Sequence, residues 1–226
     1  MLQDPETSAS AANRLQANAL RRAEIGREKR ARTRIAILQT AFALFSQPDG
    51  LFTRVEEICA AAQVTRQTFY NHFDGMESLR TALTHEVSHD FLIRVTTAIS
   101  VLDDAAERAA MAIRLYLDKA RREPSWGQLM VNISANGIIF GMETYLQAER
   151  TVKEGMAQGV FTIPDSRLGR DLIMGTTLSA IVTQLREQPG ADHARHITCC
   201  ILVALGVAAD RARQIVTQEL VVVDPD

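Results

Sequence analysis

Apolar residues recur along this chain at the three- and four-residue spacings of an α-helix, and no alternating strand pattern survives for more than a few residues. The fold class expected is therefore all-α. A first helix is predicted from about Arg32 to Ser46, with Ile35, Leu38, Phe42 and Phe45 on one face. Gln47-Pro48-Asp49-Gly50 stops it, because proline cannot continue a helix and Asp-Gly favours a turn. A second helix is expected to start at Thr53, which stands at capping-box spacing from Glu56, and to bury Val55, Ile58, Cys59 and Ala62. After a break at Ala62-Gln63-Val64, Thr65 is a good N-cap for a short third helix. That helix turns Phe69 and Phe73 inward and leaves Arg66, Gln67, Tyr70 and Asn71 outside. Beyond Asp74-Gly75 a long fourth helix runs to about Ile99. Further helices are expected over 103–122, 125–135, 139–158, 165–187, 192–207 and 210–220, separated by glycine and proline breaks.

Charge sharpens this picture. The 226 residues carry a formal net charge of only -2, which taken alone argues against nucleic acid. The distribution says otherwise: Arg21, Arg22, Arg27, Lys29, Arg30, Arg32 and Arg34 are opposed only by Glu24 and Glu28. A local excess of that kind is the footprint expected beside a phosphate backbone. Residues 1–30 read as a flexible basic arm, whose Arg27, Lys29 and Arg30, with Arg32 just beyond, can enter a minor groove or follow phosphates. The N-terminus is polar and unlike a signal peptide, and no segment has the roughly 20 consecutive apolar residues of a membrane span. Three cysteines, of which Cys199 and Cys200 are adjacent, make no disulfide framework. A cytoplasmic protein without membrane contact is expected.

Two short helices joined by a tight turn, with polar side chains left over on the second, suit the major groove. Arg66 can fork onto guanine, Gln67 can pair with adenine, and Tyr70 can stack on a thymine methyl or reach a phosphate. Over Ile35 to Leu79 the residues also resemble a known family, the TetR family of bacterial transcription regulators. The matching pieces are Ala41-Phe42-Ala43-Leu44-Phe45, Gly50, Val55-Glu56-Glu57-Ile58-Cys59, Ala62-Gln63-Val64-Thr65, Thr68-Phe69-Tyr70-Asn71-His72-Phe73 and Leu79. The resemblance implies that Arg66, Gln67 and Tyr70 contact bases or the groove, that Thr68, Asn71 and His72 lie on the phosphate side, and that Thr65 is the cap. Three positions depart from the family pattern. Gln63 stands where glycine is usual, so a positive φ is expected there. Met76 replaces a phosphate-gripping lysine, for which Arg80 is the nearest substitute. Arg54 replaces a threonine and can reach a phosphate itself.

The resemblance further implies three regions: the arm, a helix-turn-helix domain over 31–75, and a helical effector-binding and dimerisation domain over 76–226. Homodimerisation is expected through the helices near 165–187 and 192–207. In agreement, Leu168, Leu172, Gly175, Val182 and Leu185 form a stripe, and Ile197 to Val207 is apolar nearly all round, as if buried from several sides. An apolar pocket is expected from Tyr116, Trp126, Met130, Phe140, Met142 and Met174, with Asn132, Asn136 or Gln184 supplying polar contacts.

Two clusters are set aside. His85-Glu86-Val87-Ser88-His89 matches the zinc-peptidase pattern, but no third ligand stands at a recognisable spacing and no sheet exists to hold a substrate. His193, His196 and Cys200 share a helix face, yet a cysteine in such a place is usually a small hydrophobe. No catalytic residue, metal or cofactor is expected. The leading expectation is a dimeric repressor released from a palindromic double-stranded DNA operator by a small apolar or amphipathic effector. The alternative is a DNA-bound regulator or structural protein controlled by a protein partner.

Overall fold

The computed structural model describes residues 5–134 and 138–221, with side chains from Leu20 onward. Among these residues the chain is helical and carries no strand. In order they form α1 (Pro5–Phe45), a 3-10 turn (Gly50–Phe52), α2 (Val55–Ala61), α3 (Arg66–Tyr70), α4 (Met76–Ile99) and α5 (Ala105–Arg122). Next come α6 (Pro124–Ile133), α7 (Met142–Ala157), α8 (Ser166–Glu187), α9 (His193–Ala204) and α10 (Ala209–Val216).

The expected boundary at Arg32 is not there. In place of a flexible arm, the backbone is helical from Pro5 and continuous with the first helix. Proline suits the first helical position, and Ala, Arg, Leu, Gln and Glu dominate the residues after it, so propensity favours a helix even where nothing packs on it. From Leu20 to Arg32 every side chain is exposed, Leu20 and Ile25 included. The buried face begins with Ile37, Leu38, Ala41 and Phe45. Ile35, expected on that face, is 53% exposed, because two residues turn it about 200° away from Ile37.

A second shift of one residue occurs at α2. Its N-cap is Arg54, not Thr53, and Glu57, not Glu56, reaches back to accept from the Arg54 backbone N–H at 2.7 Å. A guanidinium has no acceptor, so only the glutamate half of a capping box operates.

α1, α2 and α3 close over Ile58, Cys59, Phe69 and Phe73, and this small core continues through Leu79 and Leu83 of α4 into the body. There α5 is central and packs against α4, α6, α7, α8, α9 and α10. Within α9, Ile201 and Leu202 are buried inside the one chain, as are Leu205 and Val207 just beyond it. Cys200, Val203 and Ala204 face outward, so the segment is not enclosed on all sides by its own chain.

The head meets the body at α6. Asn132, 5% exposed, donates from Nδ2 to the carbonyls of Phe45 and Gln47, both at 2.8 Å. Phe45 ends α1, so its carbonyl lacks a helical partner and is capped here from another element. Asn132 is expected from the sequence in a ligand pocket; its donors are instead consumed at this seam. Asn132→Ala should lower the free energy of unfolding by about 1–3 kcal/mol, since the buried Phe45 carbonyl loses its donor. Urea denaturation checks this, and a variant as stable as the parent would show that the amide does not hold the seam.

Candidate nucleic-acid interface

α3 is built to present side chains rather than bury them. Thr65 Oγ1 accepts from the Thr68 N–H at 3.0 Å, and the two hydroxyls lie 2.9 Å apart, which satisfies the first turn. The turn before it takes the left-handed conformation at Gln63, φ 53°, as expected where a glycine is usual. Phe69 and Phe73 anchor the helix from within, their rings 5.7 Å apart. Arg66, Gln67, Tyr70 and Asn71 are exposed, whereas Thr68 and His72 are half-buried.

The exposed residues are steered by neighbours. The Arg66 guanidinium pairs with Glu56 of α2 at 2.6 Å, with both side chains more than half exposed. Such a surface pair contributes little to stability, so it orients the arginine without committing it. Gln67 Nε2 donates to Asn71 Oδ1 at 3.2 Å. Arg30 donates to the Asn71 carbonyl at 2.9 Å, and Arg34 lies over the Phe73 ring at 4.8 Å, which brings the basic stretch of α1 alongside the end of α3. Lys29, Arg30, Thr33, Asn71 and His72 line one shallow hollow. Burial, reinforced by Arg30 and Arg34, lowers the pKa of His72 and favours its neutral imidazole. Arg27 is exposed, and Arg32 pairs with Glu28 at 3.2 Å. Arg54 is exposed at the start of α2.

Arg80, the nearest substitute for the missing lysine, is engaged within the chain. It donates to the Leu51 carbonyl at 3.2 Å and lies over the Phe45 ring at 5.4 Å, while Met76 packs against the core.

A second site lies in the body. An apolar cavity of about 60 Å³ is walled by α4, α5, α7, α8 and Phe140. Tyr116, Phe140 and Met174 reach it as expected. Trp126 does not: it sits in an aromatic cluster with Phe91, Tyr116 and Phe140 at 5.9–6.3 Å and donates to the Val87 carbonyl at 3.3 Å. Met130 is fully buried away from the cavity, Met142 is exposed, and Gln184 lines a separate groove with Arg114 and His193. Asn136 lies outside the described residues. The polar groups that do line the cavity are Thr96, Thr144, Gln147, Thr151 and Thr177. Tyr116 and Thr144 share a hydrogen bond at 3.1 Å, and burial pushes the phenol well above its ordinary pKa, so it stays protonated. The buried Thr177 hydroxyl has no partner. Threonines at helical spacing look like ordinary surface polar residues, so periodicity could not have singled them out.

His193, His196 and Cys200 form no metal-sized cluster among the described residues. No helix among them is long and apolar enough to cross a membrane.

Residues 37–83 match the family model described as bacterial regulatory proteins, tetR family, and residues 104–218 match that of the tetracyclin repressor-like C-terminal domain. The uncharacterized HTH-type transcriptional regulator Rv1255c of Mycobacterium tuberculosis is 34% identical over 89 residues, 39% of this chain and 44% of that protein. The chain thus spans less than half the length of the curated relatives it matches. In fold it is similar to RolR in complex with resorcinol, at TM-score 0.68 and 24% identity over 87% of this chain and 99% of RolR. It is also similar to FadR from Bacillus subtilis in complex with stearoyl-CoA, at TM-score 0.54 and 20% identity over 76% of this chain and 96% of FadR. With a short helix whose polar face is turned outward and family models that together cover most of its length, the chain belongs to the TetR family of bacterial transcriptional regulators.

Proposed function

We propose that the chain is a homodimeric repressor that binds a palindromic operator and is released by a small effector. In this reading residues 31–75 are the reading head, 1–30 a basic extension, and 76–226 the effector-binding and dimerisation domain. Arg66, Gln67 and Tyr70 of α3 contact base edges. Thr68, Asn71 and His72, together with Arg54, Arg32 and the extension's Arg27, Lys29 and Arg30, hold phosphates, and Thr65 caps the helix. The support is the outward exposure of a polar face on a helix held in the core by its own Phe69 and by Phe73 just beyond it.

Dimerisation runs through α8 and α9. Leu168 and Val203 are 48% and 43% exposed, and Leu172, Gly175, Val182 and Cys199 are half-buried beside them. These residues form an apolar strip with a small residue that lets two helices approach closely. Leu202, by contrast, belongs to the chain's own core.

The observation that favours an effector is the buried, unpartnered hydroxyl of Thr177, one of the residues that line the cavity. A buried hydroxyl without a partner costs free energy, and a ligand that supplies one recovers it. The cavity is small, and it offers hydroxyls from four threonines and Tyr116. A single-ring compound bearing a hydroxyl, of resorcinol's class rather than a long acyl chain, suits it. Leu92, Val95, Thr96 and Ile99 of α4 form one wall, so an occupant presses on the helix from which the head hangs.

Arg66→Ala and Tyr70→Phe should each weaken binding to a DNA selected by the parent, the arginine by about 1–3 kcal/mol, with thermal stability nearly unchanged. Fluorescence anisotropy measures this, and parental binding by both variants would contradict the assignment of α3. A dihydroxybenzene panel should contain a compound that raises the melting temperature and weakens that DNA complex, an effect Thr177→Val reduces. A panel without any such compound would contradict the cavity's role.

A further inference from the structure

α4 carries His85 and His89 one turn apart, with their rings stacked at 4.7 Å between centroids. Glu143, in the first turn of α7, faces both. Its carboxylate oxygens lie 3.8 Å from His85 Nε2 and 2.6 Å from His89 Nδ1. One donor atom from each residue lies within 4.8 Å of the other two. The missing third ligand of the His85-Glu86-Val87-Ser88-His89 motif is therefore present, 54 residues downstream of His89 on another helix.

The backbone fixes this meeting. Gly141 has φ 87°, and a Cβ there would stand 2.7 Å from Thr84 Cγ2, so the start of α7 lies directly against α4 beside His85. A plain hydrogen bond accounts for His89 and Glu143. It does not account for His85, whose Nε2 lies 3.8 Å from the same carboxylate, beyond hydrogen-bond range. Two imidazoles and one carboxylate converging on a point are the donor set of a borderline divalent transition ion, with zinc foremost. All three side chains are between 38% and 60% exposed, which leaves further coordination positions to water.

We propose that His85, His89 and Glu143 bind one divalent transition-metal ion of the zinc class, and that this ion ties α4 to α7. The role is regulatory rather than hydrolytic. Glu86, the base of the peptidase motif, lines a different groove with Phe42, Asp90 and Lys119. The tie joins the helix that carries the head to the body that holds the effector cavity. Five residues before His85, Arg80 reaches the Leu51 carbonyl of the head. An ion that clamps this end of α4 favours one setting of the head over others, and so it must alter DNA affinity. Only this regulatory part rests on the DNA-binding reading.

The test uses the metal-stripped full-length chain titrated with zinc sulfate against a chromophoric chelator. One zinc per chain is expected, and His85→Ala, His89→Ala and Glu143→Gln should each weaken it by at least about tenfold with the helical spectrum unchanged. Cobalt(II) should give visible d–d bands that the same variants lose. A His193→Ala, His196→Ala, Cys200→Ser triple variant should bind zinc like the parent. Absence of binding, or binding lost only in that triple variant, would overturn the site. On DNA selected by the metal-free parent from a random pool, zinc should change affinity by at least about fivefold in the parent and not in Glu143→Gln. Zinc bound at the site without that change would overturn the coupling. A chain that binds zinc as described but selects no DNA would uphold the site and contradict the DNA-binding reading instead.

Discussion

The side-chain amide of Asn132 holds the two halves of this molecule in register. A carbonyl oxygen can only accept, so the Nδ2 group must face Phe45 and Gln47, and both of its protons are used there. Its Oδ1 in turn accepts from Gln128 at 3.3 Å. Buried and fully engaged, this amide fixes the end of α1 on α6 in one orientation. An apolar contact in its place would tolerate sliding, whereas two directed hydrogen bonds do not. The angle at which α3 leaves the body depends on it, because α3 is held by the core it shares with α1, α2 and the start of α4.

The second attachment is α4, and most of the proposed regulation converges on it. One stretch, from Leu92 to Ile99, walls the apolar cavity, and another, from His85 to His89, faces Glu143. Its first turns carry Leu79 and Leu83 into the core of the head. A change in the cavity or at the histidines acts on the same rigid element, while the Asn132 seam resists its movement. A small ligand can select between settings only by the difference in its affinity for them.

Much of this was legible in the residues alone. The helix starts expected beyond Asp74-Gly75 and at 125 fall within two residues of the observed starts of α4 and α6, because glycine and proline act locally. The Thr65 cap is also a local fact, whereas the positive φ of Gln63 was implied only by the family resemblance. The N-terminal extension was not legible as a helix, since an exposed polar helix has no apolar face and reads like a mobile tail. Asn132, Glu143 and Thr177 were illegible in their roles for another reason. Asn132 answers a backbone carbonyl 87 residues away, Glu143 meets His89 across 54 residues, and Thr177 matters for the partner it lacks. Periodicity reports which face is buried, and it is silent on the partner a polar side chain finds there.

The most direct measurement of the central claim, that two copies of this chain read DNA through α3, is a hydroxyl-radical footprint on DNA selected by the full-length protein. Two protected stretches related by two-fold symmetry, with centres about one helical turn or roughly 34–36 Å apart, or a multiple of that spacing, should appear on each strand. A single protected stretch without symmetry, or protection that tracks no selected sequence, would contradict it.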